Sequence, residues 1–224
     1  MSTPELIRST ALEAGLATNK LIRNTYTLLS MTLLFSALMA GVSVYLRMPP
    51  MTYLLGLGGA FLLIWLVLPR TANSAKGLGV VFAITGLLGF SLGPLLSAYL
   101  SLSNGPQIVG MAFAGTGVIF LGLSGYALMS RKDFSFMGGF LITGFLVVLM
   151  AALGNIFLQI PALSLAISAA VIFIMSGFLL YDTSRMVHAG DSTNYLLMTV
   201  SLYLNIFNIF VHLLHILGVM GGDD

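Results

Sequence analysis

The sequence has no cysteine and very little charge. Without cysteine there are no disulfide frameworks, no thiolate metal sites and no cysteine nucleophile. Only 7% of the 224 residues are Asp, Glu, Lys or Arg, against about 25% in an ordinary soluble domain. A water-soluble globule of this length needs more charge than that to cover its surface. The scarcity excludes a soluble enzyme and a nucleic-acid binder. It also excludes a disordered chain, which would be polar. What the chain does have is apolar: 58% of its residues are hydrophobic. That composition implies a polytopic membrane protein with the lipid bilayer as its surroundings.

A spanning helix needs about 20 apolar residues to cross about 30 Å of hydrocarbon. Seven runs qualify, near Tyr26–Leu46, Met51–Leu68, Leu78–Leu100, Ile108–Met129, Phe136–Phe157, Ala162–Tyr181 and Leu196–Gly218. They are continuous rather than alternating, which favours helices over barrel strands. The expected fold is an all-α bundle of seven transmembrane helices. Turn chemistry marks the breaks at Met48-Pro49-Pro50, Pro69-Arg70, Asn104-Gly105-Pro106 and Gln159-Ile160-Pro161.

The basic residues orient the bundle. With the N-terminus in the cytoplasm, the inside collects Arg8, Lys20, Arg23, Arg70, Lys76, Arg131, Lys132 and Arg185, and the outside holds Arg47 alone. That asymmetry follows the positive-inside rule. It predicts a cytoplasmic tail over residues 1–24, a transmembrane domain over 25–219 and a short periplasmic tail over 220–224 carrying Asp223 and Asp224. The first run reads as an uncleaved anchor. It is too long for a signal peptide, and Leu38-Met39-Ala40 lacks the small residue two positions before the cleavage-site alanine.

Small residues recur at helical spacing in the third run (Gly86, Gly89, Gly93, Ser97) and the fourth (Gly110, Ala114, Gly117). Such faces let helix backbones approach closely in lipid; a glycine-lined pore is the other reading. In the last run Ser201, Asn205, Asn208, His212 and His215 are spaced four, three, four and three, on one helical face. Lipid does not tolerate that face, so it points into the bundle or a wet cavity, and the seventh helix is expected to be central. Interhelical hydrogen bonding and a proton or ion path are both open. His212 and His215 lack Asp, Glu or Cys neighbours in the sequence, which argues against a metal site.

Asp182 is the acid closest to the hydrocarbon, at the end of the sixth run. It is either a solvated interfacial acid paired with Arg185 or a titrating group that meets the polar stripe. Asp191 reads as a capping residue before the seventh helix. Catalytic motifs fail on inspection. Gly122-Leu123-Ser124-Gly125 matches a rhomboid protease motif, but the sixth run has no histidine to serve it. Tyr181-Asp182 matches half of an intramembrane aspartyl protease signature, and His188-Ala189-Gly190-Asp191 breaks the other half. The last run has no lysine for a retinal Schiff base. No enzyme activity, cofactor or metal is expected.

Longer stretches carry a family resemblance. They are Gly177-Phe178-Leu179-Leu180-Tyr181-Asp182-Thr183, Ser201-Leu202-Tyr203-Leu204-Asn205-Ile206-Phe207-Asn208-Ile209-Phe210 and Leu213-Leu214-His215-Ile216-Leu217-Gly218. Leu21-Ile22-Arg23-Asn24-Thr25-Tyr26, Arg131-Lys132-Asp133-Phe134-Ser135-Phe136 and Asn155-Ile156-Phe157-Leu158-Gln159-Ile160-Pro161-Ala162-Leu163 add to them. Together they resemble the Bax inhibitor-1 family, in its bacterial YccA-like branch, over essentially the whole chain after residue 17. The resemblance implies a seven-helix bundle with helix seven at its centre, in the bacterial inner membrane. It implies a modulator of FtsH, the membrane-anchored ATP-dependent protease: a slowly degraded substrate, engaged at its cytoplasmic tail, that restrains the enzyme. Other bacterial members are pH-sensitive calcium leak channels with proton-sharing aspartates on helices six and seven. Asp182 stands at the first of those positions, but Asn205 stands at the second, so the carboxylate pair is absent here. Arg70 is the candidate for the arginine that those channels pair. The candidate polar core or pH-sensing site is therefore Asp182, Asn205, Asn208, Ser201, Arg70 and His212, with calcium or protons as the alternative ligands.

Overall fold

The computed structural model describes residues 3–188 and 193–221, the side chains of 3–17 excepted. Asp191, Asp223 and Asp224 lie outside the described residues, so the capping and tail expectations for them are not addressed. The described residues form seven helices long and apolar enough to cross a membrane. They are α1 (Thr3–Tyr45), α2 (Met51–Thr71), α3 (Lys76–Leu100), α4 (Gly105–Ser130), α5 (Ser135–Leu158), α6 (Pro161–His188) and α7 (Tyr195–Gly221).

The expected turns hold with one exception. The α1–α2, α4–α5 and α5–α6 turns begin at Arg47, Arg131 and Gln159, each with φ of 50–51°, the left-handed conformation that commonly ends a helix. Pro106 and Pro161 sit in the first turns of α4 and α6, where a missing N–H costs nothing. Pro69-Arg70 does not break the chain. The second span runs on to Thr71, and the break falls after it. The helix accommodates Pro69 by loosening into a π-helical turn over Leu63–Val67, where the Leu68 amide reaches back five residues to the Leu63 carbonyl.

Two other boundaries differ from the sequence reading. Helix α1 is continuous from Thr3 through Tyr45, with no break at residue 24, and its candidate span begins at Thr18. Helix α6 continues past Tyr181 to His188, because Thr183, Ser184 and Met186 are buried against the rest of the bundle. Tertiary contacts extend the helix where hydropathy had faded.

Helix α7 packs against α1, α3, α4 and α6, which makes it the central helix. Tyr203, 1% exposed, sits at the junction. The Ser36 hydroxyl of α1 bonds to the Tyr203 hydroxyl, which in turn donates to the Thr85 carbonyl of α3 at 3.3 Å. Helix α3 is as deeply placed as α7, because its glycines admit α1. A Cβ at Gly89 would collide with the Ser36 carbonyl, and one at Gly93 with the Ser43 side chain. In lipid, where apolar burial gives no drive for helices to associate, this closeness is what makes packing favourable. Helices α2 and α5 are peripheral: α2 packs chiefly on α3, and α5 chiefly on α6.

Candidate functional site

The polar stripe of α7 faces inward along its length but resolves into two groups. Near the α6–α7 turn, Asp182 is 4% exposed. Its Oδ2 accepts from the Ser201 hydroxyl at 2.6 Å and from the Asn205 amide nitrogen at 2.9 Å. The extension of α6 explains the meeting. Asp182 lies six residues before His188 and Ser201 six residues after Tyr195, so both sit about 9 Å inside their helix ends. Asn205 is one turn deeper and reaches back with its amide.

Asp182 is thus a buried, doubly hydrogen-bonded carboxylate position rather than a solvated interfacial acid. Arg185 is exposed, and its guanidinium lies over the Tyr181 ring at 5.6 Å. Thr183 and Ser184 secure the same stretch. The Thr183 hydroxyl bonds Tyr26 of α1 at 3.3 Å. The Ser184 hydroxyl accepts from the Phe134 amide at 2.9 Å and donates to the Lys132 carbonyl at 3.1 Å, tying the α4–α5 turn down.

The second group lies two to three turns along α7. One hydroxyl, Ser168 of α6, meets both imidazoles: His212 Nδ1 at 3.1 Å and His215 Nδ1 at 2.8 Å. His215 Nε2 reaches the Ser164 hydroxyl at 3.4 Å. One hydroxyl can donate to one ring and accept from the other, so Ser168 can bridge the two imidazoles. Ser164 and Ser168, four apart on one face of α6, are the partners the sequence reading overlooked; the helical spacing that revealed the α7 stripe would also have revealed them. No group of three or more His, Cys, Asp or Glu gathers as a metal site among the described residues.

Asn208 lies between the groups, and its amide nitrogen donates to the Leu204 carbonyl of its own helix at 2.8 Å. Arg70 is exposed and joins neither group. Its guanidinium donates to the Leu66 carbonyl one turn back in α2 at 2.9 Å. Of the candidate residues, then, the structure brings together Asp182, Ser201 and Asn205. It sets His212 with α6 serines, leaves Asn208 on its own helix and keeps Arg70 apart. The first group holds a single carboxylate. Its amide member, Asn205, cannot ionise.

Comparison with known proteins agrees with the architecture. The family described as Inhibitor of apoptosis-promoting Bax1 matches residues 18–222. A Vibrio cholerae protein described as an uncharacterized membrane protein is 46% identical over 224 residues, covering 100% of both chains. The Escherichia coli K12 protein named Modulator of FtsH protease YccA is 49% identical over 208 residues, 93% of this chain and 94% of its own. Its counterpart in Escherichia coli O6:H1, named Inner membrane protein YccA, matches to the same extent.

Proposed function

The chain belongs to the Bax inhibitor-1 family, and on that premise we propose that it is an inner-membrane modulator of an FtsH-type protease. In this reading it is a slowly degraded substrate whose occupancy restrains the enzyme. The observation that carries the reading is the 49% identity, over 93% of this chain, to the relative named a modulator of FtsH protease. Two features of the chain support it. Helix α1 extends beyond its candidate span, from Thr18 back to Thr3, which offers a handle outside the bilayer. The bundle behind that handle is closed by backbone-to-backbone contact at Gly89, a packing that opposes stepwise extraction.

The asymmetry of the basic residues supports a cytoplasmic N-terminus and a periplasmic C-terminus. A periplasm-active reporter fused after Gly222 is expected to work, and a cytoplasm-active one to fail; the reverse result refutes the orientation.

Deleting residues 2–17, which spares Lys20 and Arg23, leaves the bundle inserted and prolongs the protein's lifetime in cells containing FtsH. Unchanged turnover of a correctly inserted deletion variant rejects engagement at this end. Calcium flux in liposomes separates the modulator from a leak channel. With one carboxylate held by Ser201 and Asn205, the purified protein is expected to show weak or absent pH-gated calcium flux between about pH 6 and pH 8, a window that brackets a carboxylate raised toward neutrality.

A further inference from the structure

A cavity of about 450 Å³ lies between α2 and the α5–α6–α7 side of the bundle, within the range of about 300–1,000 Å³ usual for small-molecule sites. Phe61 and Trp65 of α2 line it and are largely exposed to the surrounding lipid, so the cavity communicates with the bilayer. Its opposite wall carries Ser201, Asn205 and Asn208. We propose that this cavity is a membrane-facing binding site for a single-chain amphiphile with an uncharged hydroxyl head, the chain lying against the aromatic residues and the hydroxyl donating to the asparagine oxygens. The proposal is independent of protease modulation.

The chemistry of the wall selects the head group. One amide hydrogen of Asn205 is spent on Asp182 and one of Asn208 on the Leu204 carbonyl, which leaves each side-chain amide a second hydrogen. Among the described residues neither asparagine oxygen receives a hydrogen bond, so the wall presents acceptors beside the remaining amide hydrogens. The π-helical turn of α2 leaves a further acceptor without a donor. The Leu68 amide bonds Leu63, and Pro69 has no N–H. The Ile64 carbonyl therefore has neither an α-helical nor a π-helical donor, and Ile64 lines the cavity. At membrane depth such a carbonyl is tolerated only where it borders protein or a cavity with something to offer it.

A hydroxyl, which both donates and accepts, satisfies this wall. The lining residues include no Lys or Arg, and the Asp182 carboxyl stands directly behind Asn205, so an anionic head is disfavoured. An ammonium must shed more hydration than a hydroxyl to enter an apolar space.

Trp65 is the single tryptophan of the chain and lies on the cavity, which makes it the reporter. The protein is reconstituted in phosphatidylcholine liposomes and titrated with mid-chain dibrominated octadecanol. Dibrominated phosphatidylcholine serves as the reference for general lipid contact, and dibrominated stearate at about pH 9 as the anionic arm. The alcohol is expected to half-quench Trp65 at a mole fraction about tenfold below that of the phospholipid, the ratio that one hydrogen bond of about 1.4 kcal/mol provides. Unbrominated octadecanol reverses the quenching, and stearate follows the phospholipid curve. Asn208→Leu, which removes an acceptor, and Leu204→Phe, which fills the cavity, each return the alcohol to that curve. The idea is overturned if the alcohol tracks the phospholipid in the unmodified protein, if stearate binds as tightly, or if neither folded variant changes the alcohol curve. The three unmodified-protein titrations decide the matter even if a variant fails to insert.

Discussion

The α1–α3 seam and the side of α2 that faces α5, α6 and α7 differ sharply in packing, although both are apolar helix faces in the same bilayer. Along the seam, Gly86 admits the Phe35 ring, Gly89 lies against the Ser36 backbone and Gly93 against Ser43. The side chains are small where the helices cross, so the backbones meet. On the other side Leu57, Phe61, Trp65, Phe145 and Phe178 hold the helices apart and leave a cavity. Burial from water cannot close that gap, because lipid chains solvate these residues as well as protein does. Shape at the crossing point, rather than hydrophobicity, decides which faces close.

Substitutions on the two sides break or sharpen that contrast. The largest effect is expected at the seam. Gly89→Leu drives a side chain into the Ser36 carbonyl and should cost about 3 kcal/mol or more, read as early unfolding in detergent micelles or as failure to insert. A tolerated leucine there would mean that the seam is not what holds α1 to α3. Next comes Asp182→Leu, on the helices that wall the cavity. It strands the Ser201 hydroxyl and the Asn205 amide, at about 1–3 kcal/mol for a buried group left without its partner. Adding Asn205→Leu should cost less than the sum of the two single changes, since both remove the same bond; strict additivity in the same micelle assay would show that the bond contributes nothing.

The open side should accept volume. Leu204→Phe points extra bulk toward the cavity and is expected to raise unfolding stability by about 0.5–1 kcal/mol, as cavity filling commonly does. A loss like that at Gly89 would show the space to be needed by moving neighbours. The smallest change is Gly154→Ala on α5, where a Cβ meets nothing within 4 Å. Helix propensity alone should then add about 0.5 kcal/mol. A substantial loss in thermal unfolding would reveal a contact for α5 outside this bundle, such as a second chain.

Much of this architecture was legible in the chain. The seven spans show in hydropathy because each must be long and apolar to cross hydrocarbon. The inward face of α7 shows because its polar residues keep a helical period. The glycine faces also show, although their partners do not: nothing in the sequence pairs Gly89 with Ser36 rather than with a residue of another helix. Helix ends were less legible. The polar run Asp182-Thr183-Ser184-Arg185 reads as an exit from the membrane, yet α6 continues through it because Asp182, Thr183 and Ser184 find partners in α7, α1 and the α4–α5 turn. Pro69 also reads as a terminator but is absorbed by a π-helical turn of the backbone.

Composition and period alone thus determined that this is a seven-helix membrane bundle with a polar-faced last helix, because solvation by lipid acts on each segment separately. Tertiary structure decided which polar groups share a site. It placed Asp182 with Ser201 and Asn205, set the two histidines on one α6 serine, kept Arg70 on its own helix and left a cavity beside α2. Hydrogen bonds and steric fit between helices depend on relative rotation and depth, which no single segment encodes.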